Sequence, residues 1–141
     1  MKEVNWNDVR YFNPKTDHLL KCPCCKLLLI NSGSIYKLDI ARKISNVAYN
    51  INSACRCKSH DKELHPEQVK LGIYSGKSSH IADKETGIYS SAFDIDTRNN
   101  RHRFRIVRGL ILAGFSRLLI YPTFLHIDDD ENKDQEIISL M

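Results

Sequence analysis

Two short segments of the sequence pair an apolar face with residues that can bind a metal ion. They read SAFDID at residues 91–96 and FLHID at residues 124–128. Because successive side chains of a β-strand point to opposite faces, Asp94 would lie opposite the Phe and Ile residues of the first segment. In the second segment, His126 and Asp128 would share the face opposite the Leu and Ile residues. The sequence therefore predicts two strands, each with one face for a hydrophobic core and one face carrying imidazole or carboxylate groups.

The remaining pattern predicts helices and strands that follow one another without a βαβ rhythm. Apolar residues at i+3 steps predict a helix over about 35–45, closed by Asn46. A second helix is predicted over 100–113, with Gly114 at the position where a glycine ends a helix. Strands are further predicted over 47–54 and 90–97, and the apolar runs 117–121 and 124–128 predict either a strand pair or one strand broken at Pro122. Residues 61–77 are predicted to be mainly loop with room for one helical turn, and residues 129–141 to be a polar, partly mobile acidic tail. We therefore expect an α+β fold with a small, mostly antiparallel sheet packed with helices.

The composition indicates one soluble domain spanning residues 1–141. Hydrophobic residues make up 42% and charged residues 27% of the chain, which is typical of a globular protein. No apolar run approaches the ~20 residues that span a bilayer, so we expect no membrane insertion. The start, MKEVNWNDVR, lacks the apolar stretch of a secretory signal peptide, so we expect synthesis in the cytosol. The formal net charge of +4 is compatible with nucleic acid, with an anionic envelope polymer, or with no particular partner.

A third candidate metal ligand is His80, which follows the small polar run at residues 75–79. Two imidazoles and one carboxylate, with a fourth position open to water, form the ligand set of catalytic zinc. Other interpretations remain: His80 as an exposed loop histidine, His126 as a core histidine, and Asp94 as an acceptor at a strand end. The acidic residues after Ile127 could instead collect Ca²⁺ or form a solvated end.

Four short motifs, in this order, resemble those of the zinc D-Ala-D-Ala carboxypeptidase family. That family shares the hedgehog-type fold and is common among bacteriophage cell-wall endopeptidases. The motifs are INSACRC at 51–57, SSH at 78–80, SAFDID at 91–96 and GFSRLLIYPTFLHID at 114–128. The upstream KCPCCK, followed by a helix, is also similar to the start of the phage-type members. The resemblance covers about residues 20–128.

The resemblance implies a zinc ion (Zn2+) bound by His80, Asp94 and His126. It also implies that Arg56 contacts the substrate carboxylate or polarises the scissile carbonyl, a task that suits the fixed fork of a guanidinium. Zinc lowers the pKa of a coordinated water to about 7 and acts as a Lewis acid on the carbonyl. A nearby carboxylate then takes the proton from that water and passes it to the leaving amine.

The sequence departs from the family in two places. Asp94 lies fourteen positions after His80, which is longer than the usual family spacing, so residues 82–89 must form a loop whose ends stay near the metal. Several family members carry an acid three residues before the last ligand histidine, where this chain has Thr123. Asp128 is our expected catalytic base, with Glu85 and Asp83 as further candidates. If Asp128 only orients His126, the base is unidentified.

The resemblance implies hydrolysis of an amide in the peptide stem of bacterial peptidoglycan, by carboxypeptidase or endopeptidase action. The expected setting is a phage lysin or a virion-associated enzyme that acts on the cell wall, as a monomer, without membrane insertion or nucleic acid. One alternative is a non-catalytic, zinc-containing wall-binding module of the same fold. Another is a nucleic-acid-binding phage protein that uses the basic predicted helix 100–113. Its basic residues are Arg101, His102, Arg103, Arg105 and Arg108.

The chain has five cysteines, an odd set that favours reduced thiols over a disulfide framework. They are Cys22, Cys24, Cys25, Cys55 and Cys57. All except Cys55 could form a small structural zinc site, but the Cys-x-Cys-Cys spacing is unusual, so we expect buried reduced thiols. A cysteine nucleophile at Cys55 or Cys57 with His60 as its base is disfavoured, because these residues lie on one turn.

Overall fold

A five-stranded mixed sheet organises the chain. The computed structural model describes residues 3–141. The strands are β1 (Ile51–Ser53), β2 (Ala92–Asp96), β3 (Arg117–Ile120), β4 (Phe124–Asp128) and β5 (Ile137–Leu140). They lie in the order β1-β2-β4-β3-β5, with antiparallel pairing from β1 through β3 and parallel pairing between β3 and β5. The α+β class is confirmed, but the sheet is mixed instead of mostly antiparallel because β5 runs parallel to its neighbour.

Two long helices and two short ones accompany the sheet. The α-helices are α1 (Ser32–Ser45), α2 (Lys58–Glu63), α3 (Pro66–Lys70) and α4 (Asn100–Ala113), and single 3₁₀ turns cover Trp6–Asp8 and His18–Leu20. The segment 61–77 is predicted to be mainly loop, but it contains the end of α2 and the whole of α3. No helix within residues 3–141 is long and apolar enough to cross a membrane.

The ends of α1 and α4 are set by local side chains. Asn31 caps α1 by accepting a hydrogen bond from the backbone of Gly33, and Asn46 ends it in the left-handed conformation with φ of 53°. Asn99 caps α4 in the same way, and Gly114 ends it with φ of 107°. Both predicted helices are confirmed, and α1 begins earlier than the apolar spacing indicated because of the Asn31 cap.

The strands β3 and β4 form an antiparallel pair, which decides between the two predicted alternatives, and Pro122 lies in the turn between them. The predicted strand over 47–54 is shorter than expected and is confined to β1. The acidic tail is not simply a polar end, because residues 137–140 form the edge strand β5. The backbone N–H of Ile137 donates to the carbonyl of Ser116 at 2.7 Å, which begins the parallel pairing.

The hydrophobic core lies between one face of the sheet and the helices α1 and α4. Its fully buried members include Ile35, Leu38, Phe93, Ile95, Ile106, Leu110, Leu118, Leu125 and Ile127. The two helices approach closely at Gly109, where an added Cβ would lie 2.7 Å from the carbonyl oxygen of Ala41. Glycine at this position therefore allows α1 and α4 to pack in direct backbone contact.

The opposite face of the sheet carries the polar residues of β2 and β4. Asp94 pairs with His126 in the antiparallel register, and Ala92 pairs with Asp128. The predicted alternation is thus confirmed for both strands, since the intervening apolar residues are buried in the core. These are Phe93, Ile95, Leu125 and Ile127. A sheet with one buried face fixes its register, and this register places Asp94 and His126 side by side.

Candidate metal centre

His80 reaches the sheet from the segment before β2. The backbone N–H of Arg56 donates to the carbonyl of His80 at 2.9 Å, and the N–H of Ala82 donates to the carbonyl of Arg56 at 2.8 Å. A short parallel bridge between Arg56 and Ile81 therefore fixes the chain at His80 and Ala82 to the segment that follows β1. The N–H of Ser91 also donates to the carbonyl of Ser79 at 2.9 Å, which brings the start of β2 beside His80.

The long spacing between His80 and Asp94 is taken up by a hairpin. The backbone groups of Asp83 and Ile88 exchange hydrogen bonds of 2.9 and 3.0 Å across its neck. Since the chain returns to Ser79 after this hairpin, the extra residues leave the positions of both predicted ligands adjacent, as the sequence required.

The three predicted ligands converge, and we call His80, Asp94 and His126 the ligand cluster. The Oδ1 atom of Asp94 lies 3.1 Å from Nε2 of His80 and 2.9 Å from Nδ1 of His126. The two ring nitrogens lie 3.3 Å apart. Zinc bonds of 2.0–2.1 Å in a tetrahedron would separate two ligand atoms by about 3.3 Å. The three atoms thus have the spacing of ligands to a single ion.

The outer ring nitrogens of both histidines face hydrogen-bond acceptors. Nδ1 of His80 donates to the carbonyl of Ala54 at 2.7 Å, and Nε2 of His126 donates to Oδ2 of Asp128 at 2.8 Å. A carbonyl and an ionised carboxylate only accept, so these outer nitrogens carry the protons of neutral rings. The inner nitrogens then present lone pairs to Asp94. Three acceptors within 3.3 Å of one another require a cation between them, either a proton or a metal ion.

Burial and hydrogen bonds shift the pKa values of all three residues of the ligand cluster. Burial lowers the pKa of His80, which favours its neutral ring. Burial would raise the pKa of Asp94, but hydrogen bonds with His126 and His80 hold it well below its ordinary range. Burial would also lower the pKa of His126, yet the carboxylates of Asp128 and Asp94 raise it. These shifts show that the surroundings of the ligand cluster favour a positive charge next to Asp94, so a proton and a metal ion would compete for the same place.

Asp128 lies on the far side of the His126 ring from the ligand atoms. Its fully buried carboxylate also accepts from Nε of Arg117 at 3.1 Å and from the backbone N–H of Asp130 at 3.2 Å. Burial would raise the pKa of Asp128, but the bond with His126 and the nearby Arg117 lower it. This placement suits a group that orients His126 and fixes its proton, which is the alternative role that the sequence left open.

Arg56 lies beside the ligand cluster and contacts the second oxygen of Asp94. Its Nη2 donates to Asp94 Oδ2 at 3.3 Å, its Nη1 to Asp61 Oδ1 at 3.1 Å, and its Nε to Ser53 Oγ at 3.0 Å. Asp61 is 1% exposed and also accepts from the hydroxyl of Tyr74 at 2.6 Å. Sequence reasoning missed Asp61, because it lies at the start of a segment interpreted as loop and no local pattern marks it.

The other candidate bases are placed elsewhere. Thr123 is exposed in the turn between β3 and β4. Asp83 pairs with Lys58 at 2.9 Å and accepts from Thr86 Oγ1 at 2.8 Å within its own hairpin, while Glu85 lies exposed there. The carboxylates that contact a histidine of the ligand cluster are those of Asp94 and Asp128.

The first two acidic residues that follow β4, Asp129 and Asp130, contact side chains of this protein. Asp129 forms an ion pair of 3.0 Å with Lys37, and Asp130 accepts from Ser79 Oγ at 2.8 Å. These separate partners argue against the alternative of a calcium site in this stretch. His80 is 2% exposed, which excludes the alternative of a solvent-exposed loop histidine.

A cleft of about 560 Å³ lies next to Ser78 and Ile81, which flank His80 along the chain, and three lysines contribute to its walls. Its walls come from Lys58, Gly76, Lys77, Ser78, Ile81, Ile88, Asp130, Asn132 and Lys133. The ligand cluster itself does not line this cleft. On α4, four of the five basic residues of the predicted basic helix are exposed, whereas Arg103 is half-buried and donates through Nε to the carbonyl of Thr97 at 3.1 Å.

The cysteines are all free thiols, and four of them gather at one place. Cys22, Cys24, Cys25 and Cys57 offer sulfur atoms that all lie within 4.8 Å of one another, and we call this set the cysteine cluster. The expectation of buried thiols is wrong for Cys24 and Cys25, which are exposed. Burial would raise the pKa of Cys22, but backbone N–H groups of Cys57, Cys24 and Cys25 lower it to about 7. The cysteine cluster could hold a metal ion.

No protein-family model, no curated protein and no solved structure matches this chain. The resemblance to zinc D-Ala-D-Ala carboxypeptidases therefore stays a hypothesis that depends on four short motifs. The described residues show two histidines and one aspartate, of which His80 and Asp94 are buried and His126 is partly buried, whose ligand atoms lie close enough together to hold a metal ion.

Proposed function

We propose that this chain is a zinc-dependent peptidase that hydrolyses an amide bond in the peptide stem of bacterial peptidoglycan, with the hedgehog-type fold. The observation that supports this proposal best is the convergence of three acceptor atoms from His80, Asp94 and His126. Each histidine has its outer nitrogen held by an acceptor, which is the arrangement that orients histidine ligands toward a metal ion.

The donor set suits zinc among the common metal ions. Two imidazole nitrogens and one carboxylate oxygen leave a fourth tetrahedral position open, as in catalytic zinc sites, whereas calcium and magnesium prefer oxygen ligands alone. When bound, zinc would supply a Lewis acid and lower the pKa of water so that a nucleophile is available at neutral pH. The ligand atoms themselves come from His80, Asp94 and His126.

Arg56 supports the recognition of a carboxylate or of a developing oxyanion. A guanidinium has five N–H groups, and three of those of Arg56 point to Ser53, Asp61 and Asp94. The other two have no partner among residues 3–141. Because the ion pair with buried Asp61 holds the guanidinium in place, these two donors are positioned before substrate arrives, which is what electrostatic stabilisation of a transition state requires.

The charge of the cleft next to Ser78 and Ile81 favours a peptide ligand that carries negative charge. Lys77 and Lys133 line it together with Lys58, whose ammonium also pairs with Asp83. A peptidoglycan stem peptide carries free carboxylates, and exposed lysines at the rim of a cleft attract such a ligand over several ångströms. Carboxypeptidase and endopeptidase action would differ in how the peptide extends along this cleft.

One observation favours a second candidate, a wall-binding module that holds zinc without hydrolysis. Thr123 occupies the position where the family often has its acid, and Asp128 contacts the outer nitrogen of His126. Thr123 has no carboxylate, and the carboxylate of Asp128 lies on the other side of His126 from the open coordination position. A general base must lie within hydrogen-bond reach of the proton that it removes.

Digestion of purified sacculi tests the proposal. The zinc-loaded protein should release stem-peptide fragments or D-Ala, detected by mass spectrometry, and His126→Ala should abolish the release. His18→Ala is the matched control, because His18 is exposed and lies outside the ligand cluster. A folded, zinc-loaded protein that binds sacculi and releases nothing would support the binding module instead. Binding to DNA that weakens steeply with salt, without binding to sacculi, would support the nucleic-acid alternative.

A further inference from the structure

We propose that the cysteine cluster binds a second zinc ion through four thiolates and that this ion is structural. Sγ of Cys24 lies 3.6 Å from Sγ of Cys22 and 3.3 Å from Sγ of Cys57. Zinc–sulfur bonds of 2.3 Å in a tetrahedron separate the sulfur atoms by about 3.8 Å. The cysteine cluster therefore has the size of a site for one ion, and four sulfur ligands leave no open position for substrate.

A tight turn presents three of the four sulfur atoms. The N–H of Cys22 donates to the carbonyl of Leu27 at 2.9 Å, and the N–H of Lys26 donates to the carbonyl of Cys22 at 2.8 Å. Lys26 adopts a left-handed conformation with φ of 63°, which is uncommon for a residue with a side chain. This backbone arrangement gathers Cys22, Cys24 and Cys25 despite their unusual spacing, and the fourth sulfur arrives from Cys57.

Backbone N–H groups point at two of the sulfur atoms. The N–H of Cys57 donates to Sγ of Cys22 at 3.4 Å, and the N–H of His60 donates to Sγ of Cys57 at 3.4 Å. Hydrogen bonds of this kind stabilise thiolate over thiol and orient ligand atoms in metal sites. Neutral thiols packed for hydrophobic burial would not need them, and the exposed Cys24 and Cys25 contribute little to a core.

The cysteine cluster is joined to the ligand cluster through one short piece of chain. Cys57 directly follows Arg56, whose guanidinium contacts Asp94, and Ala54 supplies the carbonyl that holds the ring of His80. A zinc ion in the cysteine cluster would tie residues 54–57 to the turn at 22–27. It would thereby fix the groups that orient the first metal centre, although its own binding does not depend on the proposed peptidase activity.

Zinc content per chain tests the proposal, measured by elemental analysis after purification without chelators. The wild type should hold two zinc ions, and His126→Ala, Cys24→Ser and Cys57→Ser should each hold one. Cys55→Ala is the matched control and should keep two, because Cys55 lies outside the cysteine cluster. Since Cys24 is exposed, Cys24→Ser remains informative if Cys57→Ser fails to fold.

Cobalt substitution adds a readout that is specific for sulfur ligands. Cobalt-loaded His126→Ala should show intense near-ultraviolet absorption from thiolate-to-cobalt charge transfer, and Cys24→Ser should lose it. A folded His126→Ala protein with reduced thiols and no bound zinc would overturn the proposal, as would a Cys24–Cys57 disulfide found by peptide mapping. Because His126→Ala reports on one site and Cys24→Ser on the other, failure of the first centre leaves this test intact.

Discussion

Replacing Asp128 with asparagine separates the two roles that this residue could have. The carboxylate of Asp128 accepts the proton of His126 Nε2 at 2.8 Å and is completely buried. Asparagine keeps the shape of the side chain, but it removes the charge that fixes the proton on the outer nitrogen. The inner nitrogen of His126 then spends part of its time protonated and unable to bind a metal ion.

The expected magnitude follows from the position of Asp128 behind a ligand. Loss of a group that orients a metal-binding histidine costs about 10–100-fold in affinity, which corresponds to about 1.4–2.7 kcal/mol. Competition with a chromophoric zinc chelator measures this change directly in the Cys24→Ser background, where the cysteine cluster is disabled. Asp129→Asn is the matched control, because the neighbouring Asp129 pairs with Lys37 and contacts neither histidine.

The outcomes are distinct for the two roles. If Asp128 orients His126, the D128N variant should lose zinc affinity, and extra zinc should restore part of the hydrolysis of sacculi. If Asp128 is the catalytic base, the variant should bind zinc as the wild type does and lose hydrolysis at every zinc concentration. Unchanged zinc affinity in D128N would therefore refute the orienting role.

Three further predictions concern the helices, Arg56 and the metal ions. Gly109→Ala should lower the free energy of unfolding by about 1–3 kcal/mol, because the new methyl group meets the backbone of Ala41. An unchanged midpoint of urea denaturation would contradict the close approach of α1 and α4. Arg56→Lys should keep the zinc content but lower kcat/KM on stem peptides, since an ammonium cannot contact Asp94 and Asp61 as a fork does; equal activity would exclude a role for the guanidinium. If the free zinc concentration is about 100 times the Kd of a site, removing zinc with a chelator should lower Tm by about 5–10 °C for that site, and added zinc should restore Tm. A Tm that the chelator leaves unchanged in calorimetry would exclude both sites.

The strands of the ligand cluster could be predicted because their pattern has a physical cause. β2 and β4 each bury one face, so that alternation along the sequence decides which side chains share the other face. The partnership of Asp94 with His126 needed only the antiparallel register in addition. The contact with His80 depended on a hairpin whose closure no local pattern specifies.

The features that were missed depend on tertiary contacts. β5 is an edge strand whose exposed positions carry apolar residues, because Ile138 and Leu140 are 59% and 84% exposed. Its sequence therefore lacks the alternation of apolar and polar residues that predicts a half-buried strand. In the cysteine cluster, Cys57 lies far along the chain from the turn at 22–27. The sequence offered these four cysteines as one possible zinc site, but their spacing favoured buried thiols instead, and only the folded chain shows that the four sulfur atoms meet.

If the proposed function holds, the hairpin between His80 and β2 would let the substrate-binding surface change without moving the ligand cluster. Its neck is closed by the hydrogen bonds of Asp83 with Ile88, while Ile88 also forms part of the wall of the cleft lined by Lys58, Lys77 and Lys133. Residues at its tip can thus be exchanged, lengthened or shortened with little effect on the three ligand atoms. Grafting at residues 84–87 would accordingly be a way to vary the neighbouring surface of the proposed peptidase while its ligand cluster stays unchanged.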